Sequence, residues 1–271
     1  MSTPTATAVR SRNNVKVSGR VAGRPVVFLH GFGCSQEMWR LVAPLFEDEH
    51  QVVLLDQVGS GHSDLTAYDR GKYDSLHGYA DDLLEVLEAL DLHDAVVVGH
   101  SVSAMIAVLA ATRDSSRFGA LVLVGPSPRY VDDDDGYQGG FDQAGIDSLL
   151  DSLDSNYLGW SAVVAPMLMG NPSRPELGEE LTDSFCRYDP AIAQHFARVT
   201  FLSDNRRDLA RVTLPTLVVQ SSDDVISPTV VGKYVHAAIR GSEFVLMSST
   251  GHCPNLSDPV QLTTAIKNFL R

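Results

Sequence analysis

Gly99-His100-Ser101-Val102-Ser103 is the stretch on which the reading of this chain turns. An apolar run, Ala95-Val96-Val97-Val98, precedes it and reads as a buried strand. Ala104-Met105-Ile106-Ala107-Val108-Leu109-Ala110-Ala111 follows and reads as the start of a helix. A serine on a sharp strand-to-helix turn, flanked by small residues, is a nucleophile elbow. Small neighbours tolerate the strained backbone that lifts the hydroxyl to the top of a sheet. The helix behind it aims backbone N–H groups at any negative charge formed there. The last position is Ser103 rather than the usual glycine. Serine is small enough for the site, so the departure reads as a variation.

An elbow serine needs an acid and then a histidine further along the chain. Leu214-Pro215-Thr216-Leu217-Val218-Val219-Gln220 reads as a strand that ends in Ser221-Ser222-Asp223-Asp224, with Pro228 beyond. Glu243-Phe244-Val245-Leu246-Met247 reads as a short strand leading to Gly251-His252-Cys253-Pro254. His252 would take the Ser101 proton, and an aspartate would orient the imidazole and stabilise its charged form. Spacing alone leaves that acid open between Asp223 and Asp224. Upstream, Pro25-Val26-Val27-Phe28-Leu29 reads as a strand ending in His30-Gly31-Phe32-Gly33. Such a turn supplies the second donor of an oxyanion hole, here the backbone N–H of Phe32 beside that of Val102. Each fixed donor aimed at a developing oxyanion is worth about 3–4 kcal/mol.

The chain has 271 residues, of which 44% are hydrophobic, enough for one α/β domain with a large core. A net charge of −13 argues against nucleic acid, anionic membrane surfaces and highly anionic substrates. No apolar run reaches the length of a membrane span. Met1–Val9 is rich in Ser, Thr and Ala and lacks an apolar core, so no leader is expected and a cytoplasmic location is. Cys34, Cys186 and Cys253 are scattered and odd in number, which implies no disulfide framework. Cys253 reads as a small packed hydrophobe. The nine histidines form no ligand-spaced cluster, so neither metal nor cofactor is expected. Gly59-Ser60-Gly61 lacks the third glycine of a dinucleotide loop, Asp64 standing there, and reads as a tight turn.

Strand and helix patterns alternate from about residue 26 to 125, the mark of a parallel sheet with crossover helices. Residues 79–90 carry apolar side chains at helical spacing, and Leu121-Val122-Leu123-Val124-Gly125 reads as the strand after the elbow helix. From 127 to 209 no strand is expected; helical patterns fall near 142–153, 159–169, 176–186 and 191–202. After Pro215 the alternation resumes. The division is therefore a core of residues 1–126 and 210–271 with a helical cap of 127–209. A cap over a serine encloses a pocket and limits water entry. The run Asp132-Asp133-Asp134-Asp135 reads as a solvated loop.

On these residues the chain resembles the small α/β hydrolases that include the bacterial RsbQ-like stress regulators and the plant karrikin and strigolactone receptors. The resemblance runs from Ser11 almost to the C-terminus. It is carried by His30-Gly31-Phe32-Gly33-Cys34 and by Asp56-Gln57-Val58-Gly59-Ser60-Gly61-His62-Ser63-Asp64-Leu65. The elbow through Ile106 is similar to the plant receptors. Asn156-Tyr157-Leu158-Gly159-Trp160, Phe185-Cys186-Arg187-Tyr188-Asp189-Pro190, Phe201-Leu202-Ser203-Asp204 and Val231-Gly232-Lys233-Tyr234 look like the RsbQ branch, which the whole resembles more. The resemblance implies an α/β-hydrolase fold with a four-helix cap over an apolar pocket. It implies Asp224 as the acid, between Gln220 and Pro228, and leaves Asp223 to cap the loop. Matching positions imply pocket roles for Phe32, Trp160 and Phe201, with Val164 and Phe196. Two function classes follow. One is a plain carboxylesterase or lactonase acting on a small hydrophobic ester. The other is a signalling hydrolase in a stress pathway, turning over its ligand slowly and engaging a partner such as a PAS-domain phosphatase. A pure binding scaffold fits less well with three catalytic residue types in place. Epoxide hydrolases and haloalkane dehalogenases carry aspartate at the elbow, which Ser101 argues against.

Overall fold

Strands buried on both faces need continuous apolar runs rather than alternation, and this chain supplies them. A computed structural model describes residues 5–271, so the reading of Met1–Val9 lies partly outside the described residues. Among the described residues seven strands form one sheet: β1 (Lys16–Gly19), β2 (Pro25–Leu29), β3 (Gln51–Leu55), β4 (Ala95–His100), β5 (Phe118–Val124), β6 (Thr216–Asp223) and β7 (Glu243–Thr250), in the order β1-β3-β2-β4-β5-β6-β7. Every pairing is parallel except β1 with β3, where Val17 faces Val53. All six residues of the central β4 are buried. The edge strand β1 was not foreseen. Lys16-Val17-Ser18-Gly19 is short and mostly exposed, so it lacks the apolar signal that marks its neighbours.

Eleven α-helices accompany the sheet among the described residues, α1 before the first strand and the last two after β7: α1 (Ala6–Arg12), α2 (Leu76–Ala89), α3 (Val102–Arg113), α4 (Gln143–Ser155), α5 (Tyr157–Met169), α6 (Pro175–Cys186), α7 (Pro190–Phe201), α8 (Arg206–Leu209), α9 (Thr229–Ala238), α10 (Pro254–Ser257) and α11 (Pro259–Phe269). The elbow helix α3 begins at Val102, two residues earlier than its apolar run suggested. Helix α1 also escaped the sequence reading; Thr5 caps it, its Oγ1 accepting from the Ala8 N–H.

Between β5 and β6 the chain makes α4 to α8 and adds no strand to the sheet. The starts of these helices are written into local chemistry. Asp142, Asn156 and Asp189 each accept a backbone N–H from the first turn of α4, α5 and α7. Residues 127–142 hold one isolated bridge, Val131 with Phe141. The acidic run there is solvated, as expected, with Asp132, Asp134 and Asp135 exposed, and it is also anchored. Asp132 Oδ1 accepts from the Gly139 and Gly140 N–H groups at 2.7 and 3.0 Å. Asp133 pairs with Arg206 at 2.7 Å, and Arg206 also holds Asp204. Backbone donors thus hold Asp132, and two guanidiniums, Arg206 and Arg129, face Asp133.

Because β4, β5, β6 and β7 run parallel, their carboxyl ends gather on one edge of the sheet, where ligands bind in open α/β folds. Ser101 follows β4, Asp224 follows β6 and His252 lies two residues after β7.

Candidate active site

Ser101 has φ 57° and ψ −124°, a conformation that L residues rarely hold. The turn tolerates it because Gly99 has no side chain: a Cβ there would meet the Ser103 carbonyl oxygen at 2.3 Å. Ser103 is fully buried and does more than fit. Its Oγ donates to the His30 carbonyl and accepts from the Gln57 amide Nε2 at 3.1 Å. It therefore ties the elbow to the turn after β2. His30 stiffens that turn in its own right. Its Nε2 accepts from the Gln57 N–H at 2.9 Å, so the ring proton sits on Nδ1.

Ser101, Asp224 and His252 come together. Asp224 Oδ2 lies 2.7 Å from His252 Nδ1, and His252 Nε2 lies 2.8 Å from Ser101 Oγ. A carboxylate only accepts, so Nδ1 carries the proton and Nε2 is left to accept from the serine. Asp224 is buried, and burial works to raise its carboxyl. His252 beside it and the backbone N–H groups of Ser227 and Ile226 outweigh that and hold it below its ordinary value. Those N–H groups reach Asp224 Oδ1 at 3.0 Å each, so Asp224 caps the loop itself. Asp223 does not cap it, contrary to expectation: it is exposed at the end of β6, and its backbone carbonyl accepts from Gly251.

Two contacts hold the histidine loop. His100 Nε2 donates to the His252 carbonyl at 2.7 Å, and the His252 N–H donates to the Leu168 carbonyl near the end of α5 at 2.8 Å. Burial and the neighbouring His252 push His100 down to about 3. Gly251 (φ +89°) makes the α5 contact possible, since a Cβ there would sit 1.9 Å from the Met169 carbonyl oxygen.

The turn carrying Phe32 lies against the elbow: a Cβ on Gly31 would be 3.3 Å from the Ser101 Cβ. Val102 is the first residue of α3, where backbone N–H groups have no helical partner. Both proposed oxyanion donors therefore belong to segments that flank the Ser101 hydroxyl. Over Ser101 lies a cavity of about 30 Å³, walled by Phe32, Trp160, Val164 and Phe201 among others. Phe196 does not line it, which corrects that expectation. Its ring packs behind, 4.7 Å from Tyr79 and 5.7 Å from Phe32 by centroid. Tyr130, Phe185, Thr200 and Ile226 line the cavity and were missed. Their positions follow from tertiary packing and carry no local signal, although Thr200 adjoins Phe201. Cys253 is buried in the wall as a small packed side chain, and Cys34 lines it too. Burial pushes the Cys34 thiol up to about 12 and raises Cys253 as well, so neither is a thiolate at neutral pH.

Among the described residues no cluster of His, Cys, Asp or Glu is arranged to hold a metal ion, and no helix is long and apolar enough to cross a membrane. A model of the alpha/beta hydrolase family matches residues 26–265. A karrikin insensitive 2 receptor of Petunia hybrida is 37% identical over 252 residues, 93% of each chain. A strigolactone esterase of Arabidopsis thaliana is 36% identical over 259 residues, 95% of this chain and 96% of that one. The solved structure of a hydrolase from Oleispira antarctica superposes with a TM-score of 0.96 at 37% identity, covering 100% of this chain and 98% of the other.

Proposed function

The chain belongs to the alpha/beta hydrolase family, and from that premise we propose that it is a serine hydrolase cleaving a small, mostly apolar ester or lactone. The observation that carries this is the unbroken chain Asp224–His252–Ser101, with bonds of 2.7 and 2.8 Å, at the floor of an apolar cavity. Ser101 Oγ attacks the carbonyl carbon as His252 Nε2 takes its proton. The charge that builds on the carbonyl oxygen faces the N–H groups of Phe32 and Val102. The protonated His252 then gives its proton to the leaving alkoxide, and water hydrolyses the acyl-serine by the same steps in reverse order. Asp224 stays ionised and compensates the imidazolium. The inserted helices act as a lid in this reading, 127–209 forming the cap. The small cavity favours short acyl chains. The segments 156–160 and 185–190 incline us to the RsbQ-like branch.

The test is labelling with a serine-directed phosphonate, followed by intact mass and peptide mapping, beside turnover of short p-nitrophenyl esters. Ser101→Ala should lose both label and turnover while keeping its thermal melt. Wild-type turnover in that variant would end the proposal.

One observation favours a signalling role alongside catalysis. On α5, Leu158, Val163 and Met167 are 58%, 69% and 48% exposed, an apolar face on an inserted helix. A partner such as a PAS-domain phosphatase would cover it. Val163→Glu should then leave ester turnover intact and abolish capture of that phosphatase; capture unchanged would remove this reading.

A further inference from the structure

We infer that the cavity holds a polar subsite, built by Thr200 and Trp160, for a second oxygen on the ligand. The inference rests on the reading of this cavity as the ligand site. Its walls are otherwise aromatic and aliphatic, yet Thr200 Oγ1 and Trp160 Nε1 are buried there with no protein group in hydrogen-bonding position. Buried polar atoms are nearly always paired, and leaving one unpaired is costly. A helical threonine ordinarily turns its hydroxyl to the carbonyl four residues back. Thr182 does so to Gly178 and Thr264 to Val260, each at 2.8 Å. Thr200 makes no such bond to Phe196. Its hydroxyl is left for whatever enters the cavity.

The two atoms sit on different inserted helices, Trp160 on α5 and Thr200 on α7, while Ser101 and His252 sit at strand ends. Phe32 packs against both helices, its ring 6.2 Å from Trp160 on α5 and 6.2 Å from Phe201, the residue after Thr200 on α7. The subsite therefore belongs to the wall that the inserted helices supply, and the reacting groups to the wall that the strand ends supply. An indole N–H only donates, and a hydroxyl both donates and accepts. The chemistry that serves both is an acceptor oxygen, a ketone, ether or second ester carbonyl, apart from the bond that is cleaved. A carboxylate does not suit, because no Lys or Arg lines the cavity among the described residues. The ligand class is thus an oxygen-bearing apolar ester or lactone rather than a plain alkyl one.

The test compares methyl 4-oxopentanoate with methyl pentanoate, which differ only in a remote carbonyl. Binding is read by ligand-observed NMR titration on Ser101→Ala, so that no turnover intervenes. Comparing the keto-over-alkyl affinity ratio between variants cancels the ligands' own hydration. Thr200→Val, close in shape, should lower the ratio by about three- to tenfold, the worth of one neutral hydrogen bond. Trp160→Phe should lower it too, and Thr200→Ser should hold it. An unchanged ratio in both Thr200→Val and Trp160→Phe overturns the subsite, as does binding of neither ester. Failure of the broader hydrolase reading looks different: a wild type that neither cleaves esters nor takes label at Ser101.

Discussion

Asp223 and Asp224 are neighbours, yet only one can serve His252. Asp224 is buried and meets Nδ1 at 2.7 Å, whereas Asp223 points to solvent. Asp224→Asn removes the anion and offers an amide that can hold the imidazole in the wrong tautomer, so kcat should fall by about ten-thousandfold. Asp223→Asn changes an exposed side chain and should shift stability by no more than about 0.5 kcal/mol. Steady-state kinetics of the two variants check this, and a reversed order would reassign the acid. Spacing could not separate the pair because the pairing of β6 with β7 shifts between Ser221 and Asp223, so alternation along the strand does not say which carboxylate turns inward. Ser101 and His252 were legible because each sits in a turn motif whose local geometry the sequence encodes. Tyr130 and Thr200 were not, since their place in the cavity is decided by helices packed from afar. Ser103 was read as a matter of size; its bonds to His30 and Gln57 needed the fold to become visible.

At the scale of elements, α5 links the cavity to the histidine loop. Its N-terminal half presents Trp160 and Val164 to the cavity, and its last turn accepts the His252 N–H through Leu168. Pro166 lies between and has no N–H to give the Ala162 carbonyl, a site where helices bend. A cavity of about 30 Å³ has room for little more than two waters. Trp160 therefore stands in the wall of a tight cavity, while the last turn of the same helix fastens the histidine loop. Trp160→Ala should enlarge the cavity and shift the acyl-chain preference toward longer esters. It should cost less than the roughly 3–5 kcal/mol of a fully packed aromatic. Thermal melts and a chain-length series check both parts; a full stability loss with unchanged preference would make Trp160 mere packing. Gly251→Ala should strain the fastening itself, with a loss of about 1–3 kcal/mol and a fall in kcat larger than any change in KM. Of the elements, the buried parallel strands were readable as apolar runs and the inserted helices as periodic patterns with Asp or Asn at their starts. Strand β1 and helix α1 were not, because an exposed edge and a short amphipathic turn leave too few apolar residues to form a pattern.

Across the whole molecule, buried titratable groups set the response to acid. His30 and His100 are both buried, and burial lowers both from the ordinary value of 6.5, His100 to about 3. The unfolded chain then binds protons that the folded chain refuses. For a histidine with a depressed folded value, stability is fully present above pH 6.5 and falls as the pH drops toward that value, by up to about 1.4 kcal/mol per pH unit for each group. Asp224 adds its own loss only lower, as the pH falls below its ordinary 3.8, since its folded value is depressed as well. Asp82 runs the other way. Burial outweighs its pairing with Arg12 and Lys72 and raises it above 3.8, so its protonation in the folded state offsets part of the loss near that pH. Unfolding free energies from denaturant titrations should therefore decline steadily from pH 6.5 toward 5, before any carboxylate takes part. His100→Gln keeps an N–H donor for the His252 carbonyl but cannot titrate. It should remove about one proton's worth of that slope, about 1.4 kcal/mol per pH unit at most. A slope that stays as steep in His100→Gln would mean that the buried imidazole is protonated in the folded state and that another group carries the acid sensitivity.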